Sequence, residues 1–281
     1  MKRLFVSTAA AVALLLGAVT AFAQQKINYR STTYVKIAPD KEAAANEFVH
    51  TTGMKLTQEL INSGRTAGFR WMRLAYAGVP AADYNYMQVI VYDGAPPAAM
   101  NPAARDQMYR KATGMSYAEY QQKLAGFGTI VGTVLSRAEA VAPGSQVAEG
   151  NYIQMVSWKI TPLRGADYGN YVQKMLLPLN SQAVKEGRIL GWVASRTSYP
   201  AGGDAAYDAT TGTTYRDLAS VLPTTPASPD QGQINFAKAF PGQNYTAFVD
   251  EGRALRRAVR VDLWRVVAAA GRGTTTTTSS R

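Results

Sequence analysis

Along residues 29–140 the apolar positions change period several times, and each change marks an element. Tyr29–Ile37 alternates in β-prone residues and stops at Pro39. From Asp40, a residue suited to capping, Phe48, Val49, Leu56, Leu60 and Ile61 recur on one helix face, and Gly64 suits the exit. Residues 69–76 read as a strand, Gly78-Val79-Pro80 breaks it, and residues 84–92 form a second strand closed by Asp93-Gly94. A Pro- and Ala-rich connection leads to a short helix over 105–113. Ser116-Tyr117-Ala118-Glu119 spells a capping box that opens a helix to about Ala125, and residues 131–140 close the series as a strand. The order is βαββαβ.

The same series occurs twice. Residues 34–76 set against 157–199, an offset of 123, match at 11 of 43 positions, where chance gives roughly two or three. Lys36/Lys159, Ile37/Ile160, Gly64/Gly187, Arg73/Arg196 and Tyr76/Tyr199 are among the pairs. A second block, 114–142 against 242–270, matches at 7 of 29 positions at an offset of 128. The difference of five residues is expected as one loop insertion within residues 200–213, where turn residues tolerate added length. The expected organisation is a first half over 24–143 and a second over 144–270, joined near Pro143-Gly144-Ser145.

A βαββαβ unit places both helices on one face of a four-stranded antiparallel sheet and leaves the other face bare. Alternation over 84–92 puts Met87, Val89 and Val91 on the side expected to meet helices, with Tyr84, Tyr86, Gln88, Ile90 and Tyr92 opposite. In the last strand of the second half, Val259, Val261 and Leu263 stand against Arg260, Asp262 and Trp264. A bare face carrying aromatics forgoes roughly 2 kcal/mol per ring left in water, so it needs a cover, and the duplicate supplies one.

On this element order, the repeat spacing and the stretch Gly64-Arg65-Thr66-Ala67-Gly68-Phe69 before the second strand, the chain resembles the dimeric α+β barrel superfamily over about residues 27–143 and 150–270. The resemblance implies an α+β fold of tandem ferredoxin-like βαββαβ repeats, packed sheet to sheet as a pseudo-dimeric α+β barrel within one chain. Members of the superfamily include cofactor-free monooxygenases, haem-degrading and chlorite-decomposing haem proteins, lactone isomerases and proteins of no known activity. Fold membership therefore leaves function open.

Composition narrows the chemistry. The chain has 281 residues, 47% of them hydrophobic, with no Cys and one His. It can bury a sizeable core, and it has no thiolate zinc site, iron–sulfur cluster, disulfide or thiol nucleophile. His50 alone would have to serve any histidine chemistry, and helical spacing turns it away from the apolar stripe. No metal and no cofactor are expected. Lys2 and Arg3, an apolar run over 9–19 and the small-x-small site Ala21-Phe22-Ala23 read as a secretory signal peptide over 1–23, of bacterial type, which directs the product to the periplasm or the medium. Residues 271–281, rich in Thr, Ser and Gly, read as a disordered tail. The net charge of +11 includes an Arg cluster at 253–260 that fits a solvated helix face better than nucleic-acid binding, since no aromatics interleave.

Candidate ligand-binding residues follow from the doubled pattern: Lys36, Lys159, Arg73 and Arg196 as anion contacts, Tyr84 and Tyr86 as aromatic walls, and Gln88 as a mid-strand polar group that must find a partner. Against these stand plainer readings, in which strand-end lysines reach water, arginines form rim ion pairs and aromatics pack as core. The leading expectation is an exported protein that binds a small anionic or aromatic molecule between its two sheets. A cofactor-independent monooxygenase or isomerase acting on an anionic or enolisable substrate is the alternative, and a non-catalytic interaction or assembly protein is a third. No membrane span is expected, and the pseudo-dimer leaves further oligomerisation open.

Overall fold

The computed structural model describes residues 28–78, 82–201, 205–222 and 229–271. The expected signal peptide, Val79-Pro80 and the Thr-rich tail lie outside the described residues, apart from Gly271. The first half runs β1 (Tyr29–Ile37), α1 (Glu42–Phe48), α2 (Met54–Asn62), β2 (Gly68–Tyr76), β3 (Tyr86–Tyr92), α3 (Pro102–Thr113), α4 (Tyr117–Phe127) and β4 (Gly128–Val141). The second runs β5 (Tyr152–Ile160), α5 (Gly165–Tyr171), α6 (Leu177–Lys185), β6 (Gly191–Tyr199), β7 (Ala209–Tyr215), α7 (Leu218–Val221), α8 (Pro229–Ala239), α9 (Tyr245–Leu255) and β8 (Arg256–Gly271). The long helix expected over 40–61 carries a π-helical turn, Val49–Gly53, between α1 and α2, and the second half repeats it at Val172–Leu176. Gly64 and Gly187, a matched pair, exit these helices with φ of 72° and 70°, a backbone region that side chains with a Cβ disfavour. The capping box at Ser116 and Glu119 forms as spelled.

The eight strands close into one antiparallel barrel in the order β1-β3-β2-β8-β5-β7-β6-β4. Each half contributes four neighbouring strands in the 4-1-3-2 order of the split βαβ unit. Face-to-face cover is only part of the join, because β2 pairs with β8 and β6 pairs with β4 along their edges. The last strand of each half, 14 and 16 residues long, reaches past its own sheet to satisfy the open edge of the other, so no sheet edge is left unpaired. Equivalent residues finish the strands alike: the Asn85 side chain accepts from Ile37 N at 2.8 Å, and Asp208 accepts from Ile160 N at 2.8 Å.

Two expectations need correction. The connections β2–β3 and β6–β7 are equal in length, so the five extra residues of the second half do not fall in 200–213; they lie between β7 and α9, in the region that holds α7 and α8. In β3 the faces are exchanged. Met87 and Val89 point into the barrel with Tyr34, Met72, Ile153, Trp264 and Val266, while Tyr86 packs toward the helices with Ala45, Val49, Phe69 and Trp71. Both faces of this sheet are buried, so hydrophobicity does not choose between them. The polar tips do: helix α1 offers the Tyr86 hydroxyl Asn46 and Glu42 as hydrogen-bonding partners. In β8 the expected faces hold, with Trp264 fully buried inside the barrel.

Candidate functional site

The interior of the barrel is filled by side chains from both halves, Tyr34, Met87 and Val89 meeting Ile153, Trp264 and Val266. A large cavity lies elsewhere, on the outer face of the first half, between the sheet β1-β3-β2 and helices α1, α2 and α4. Its volume is about 540 Å³, within the range of small-molecule sites, roughly 300–1,000 Å³. Ile37, Phe69 and Trp71 form the floor and are all buried. Ala45, Val49, Gly53 and Leu56 form the helical wall, and the exposed Ala125, Thr129 and Ile130 surround the mouth.

The duplication explains why this space is open. At the offset of 123, Val35, Ala45 and Gly53 correspond to Trp158, Tyr168 and Leu176. In the second half Tyr168 and Leu176 are buried in the core between sheet and helices, with Trp158 packed against them. Three larger side chains thus fill in the second half what the first half leaves hollow. Other lining positions run the opposite way, Trp71 against Ala194, Leu60 against Ala183, Ile90 against Thr213 and Leu124 against Gly252, and Trp71 widens the aromatic floor.

Gln88 is the polar group of this floor. Its second-half counterpart, Thr211, accepts a hydrogen bond from Trp158 Nε1 at 3.0 Å. Val35 stands where that Trp would be, and the Gln88 side chain makes no hydrogen bond to the described residues; it lines the cavity instead. Beneath the floor the polar atoms are satisfied. Trp71 Nε1 donates to Asn46 Oδ1 at 3.0 Å, Asn46 Nδ2 donates to the Tyr86 hydroxyl at 3.1 Å, and the Trp71 and Tyr86 rings stack at 5.1 Å. Tyr86 also donates to Glu42, which holds Arg73 at 2.8 Å. Burial raises the Tyr86 and Tyr120 phenols above their ordinary pKa and keeps them neutral.

The sequence-derived candidates do not converge on one site. Tyr86 and Arg73 meet at Glu42, and Tyr86 supports the cavity floor from below. Lys36 is exposed, whereas Lys159 binds the carbonyl of Ala205 at 2.5 Å and Asp208 at 3.5 Å. Arg196 pairs with Glu139 at 3.1 Å and lies over the Tyr168 ring. Tyr84 precedes β3, so strand alternation does not govern it; it turns to the barrel end, where it stacks on Trp264 and donates to the buried Asp262 at 3.3 Å. Pattern reading missed Ala45 and Gly53, although comparing the two halves position by position, small against large, would have found both.

No family model and no curated protein matches the chain. Among solved structures, a "putative monooxygenase" from Lactobacillus acidophilus superposes with a TM-score of 0.52 at 10% identity, over 89% of this chain and 99% of that one. A second "putative monooxygenase", from Fusobacterium nucleatum, gives 0.50 at 11% identity, over 89% and 95%. This chain has the dimeric α+β barrel fold. At such identities the likeness extends to the α+β barrel and its closed antiparallel sheet and no further. A haem, which the superfamily resemblance allows, does not fit the donor set of this cavity. His50 is exposed on the π turn and outside the cavity lining, so no histidine among the described residues is placed to ligate a haem there.

Proposed function

We propose that this α+β barrel binds a compact, mainly apolar small molecule bearing one hydrogen-bonding group, in the cavity over the sheet of the first half. The observation that carries the reading is Gln88, a half-buried amide with no hydrogen bond to the described residues, on the floor of a mainly apolar hollow. Once a ligand shields this amide from water it needs a partner, and a ligand carbonyl or hydroxyl would supply one. The ring faces of Trp71 and Phe69 suit a planar or aromatic ligand. An enolate-stabilising enzyme gains no support from charge, because Lys36, Lys159 and Arg196 lie outside this cavity and Arg73 is already paired with Glu42.

The direct test is native mass spectrometry of the protein purified from its own host, alongside an Ala45→Phe variant that narrows the cavity. A small molecule retained by the wild type and absent from the variant is the expected result. Titration with 2-naphthol, followed by quenching of tryptophan fluorescence, supplies a second reading. Equal binding by wild type and Ala45→Phe would reject the cavity as the site. For compartment, we propose export with cleavage after Ala23; a native N-terminus other than Gln24 refutes that assignment.

A further inference from the structure

A second feature is independent of the apolar cavity. Arg30 on β1 and Arg70 on β2 flank strand β3, in register with Val91 and Val89. Residues directly opposite each other in a sheet share a face. Val89 belongs to the core inside the barrel and Val91 packs against it, so both guanidinium groups enter the barrel interior. Across β4, Arg30 is in register with Ser136, and Ser136 with Thr197 of β6. Ser195 Oγ lies 3.5 Å from Arg30 Nη1. One end of the barrel therefore gathers two cations and three hydroxyls.

Among the described residues neither Arg30 nor Arg70 forms an ion pair, while Arg73, Arg110, Arg164, Arg188, Arg196, Arg253 and Arg260 all do. Arg30 Nε and Thr197 Oγ1 are buried without any hydrogen-bond partner. Burial, with Arg70 beside it, brings Arg30 down to about 9, and burial brings Arg70 down to about 10. Both still carry their charge at neutral pH. The fold does not require them, since the equivalent positions of the second half are Ile153 and Val193, at the same register against Thr214 and Gly212 of β7. Two half-buried guanidinium groups side by side, without an ion pair among the described residues, at positions where the second half carries aliphatics, are unfavourable unless something neutralises them.

We infer that Arg30 and Arg70, with Ser136, Ser195 and Thr197 around them, form a binding site for a small dianionic oxyanion of the phosphate or sulfate type at this end of the barrel. Two guanidinium forks match the charge and the several oxygens of such an ion, and the hydroxyls donate to those that remain.

Inorganic phosphate is the probe, added to the mature chain in phosphate-free buffer at constant ionic strength. The readouts are phosphorus NMR line width and melting temperature, with sulfate as competitor and chloride and acetate as controls. Wild type should show saturable phosphate broadening, reversed by sulfate and not by chloride. Arg30→Met and Arg70→Met should each weaken phosphate binding at least tenfold, yet melt no lower than wild type when phosphate is absent. Arg70→Lys, which keeps charge and loses the fork, should bind with intermediate affinity. The inference is overturned if wild type shows no saturable broadening, or if the double Met variant gains as much melting temperature from phosphate as wild type does. Should a Met variant fail to fold, the wild-type titration with its sulfate competition decides alone.

Discussion

Exchanging one side chain between the halves tests whether the hollow in the first half is real. Ala45 and Tyr168 are equivalent in the duplication, both buried between sheet and helix, at 2% and 0% exposure. Tyr168→Ala removes a ring from a filled core and the contacts that Arg196 and Arg256 make with it at 5.0 and 5.8 Å. Aromatic-to-alanine changes of this kind cost about 3–5 kcal/mol. At roughly 2–4 °C per kcal/mol for a chain of this size, the melting temperature should fall by about 6–20 °C. Ala45→Phe does the reverse, placing a ring into about 540 Å³ of open space. Burying the ring contributes about 2 kcal/mol, from which lower helix propensity and lost rotamer freedom subtract about 1 kcal/mol. A rise of about 2–4 °C is expected. Differential scanning calorimetry of the two variants reads both numbers. If the first half were packed as tightly as the second, Ala45→Phe would overpack it and cost about 1–3 kcal/mol. A fall in melting temperature for Ala45→Phe would refute the reasoning.

Other outcomes follow from the same structure. Gln88→Leu should leave stability unchanged or slightly higher and weaken a retained polar-headed ligand about fivefold, since one hydrogen bond to a neutral group contributes about 1 kcal/mol; equal affinity in a titration of the variant rejects a role for the amide. Asp262, 1% exposed, accepts from Gly78 N at 2.8 Å and from Arg260 at 2.6 Å, so Asp262→Ala should cost about 3–5 kcal/mol by leaving Arg260 without its counter-charge; urea unfolding measures it, and a loss below about 1 kcal/mol would contradict the assigned network. Ser116→Ala removes the side-chain half of the capping box and should cost about 1 kcal/mol. At alkaline pH, burial raises Tyr34, Tyr84, Tyr120 and Tyr207 and lifts Tyr171 to about 12. A raised folded pKa contributes stability that is intact below the unfolded value, about 10, and is lost as pH climbs through the folded value. Stability should therefore decline above pH 10, with these phenols ionising together with unfolding; ultraviolet titration showing every tyrosine ionise near pH 10 in a still-folded protein is the contrary result.

The amino-acid pattern alone determined the repeat and the βαββαβ order of each half, because both rest on local periodicity and on residues matched at a fixed offset; the barrel itself was only what the superfamily resemblance implied. Gly64, Gly187 and the Ser116 capping box act through bonds within a few residues, so their sites were legible too. Three things depended on tertiary structure. Whether Tyr86 and Gln88 faced the helices or the barrel was undecidable from alternation, since both faces of β3 are buried and Asn46 and Glu42, which receive Tyr86, arrive from another element. The edge pairing of β2 with β8 and β4 with β6 joins strands distant in the chain, and no local period encodes it. The lysines and arginines chosen by symmetry were dispersed for a related reason: Glu42, Asp208 and Glu139 stand close enough to Arg73, Lys159 and Arg196 to occupy them. Which cation keeps a partner and which does not is a matter of distance in three dimensions, and it placed Arg30 and Arg70, unremarkable in the sequence, side by side with no ion pair among the described residues.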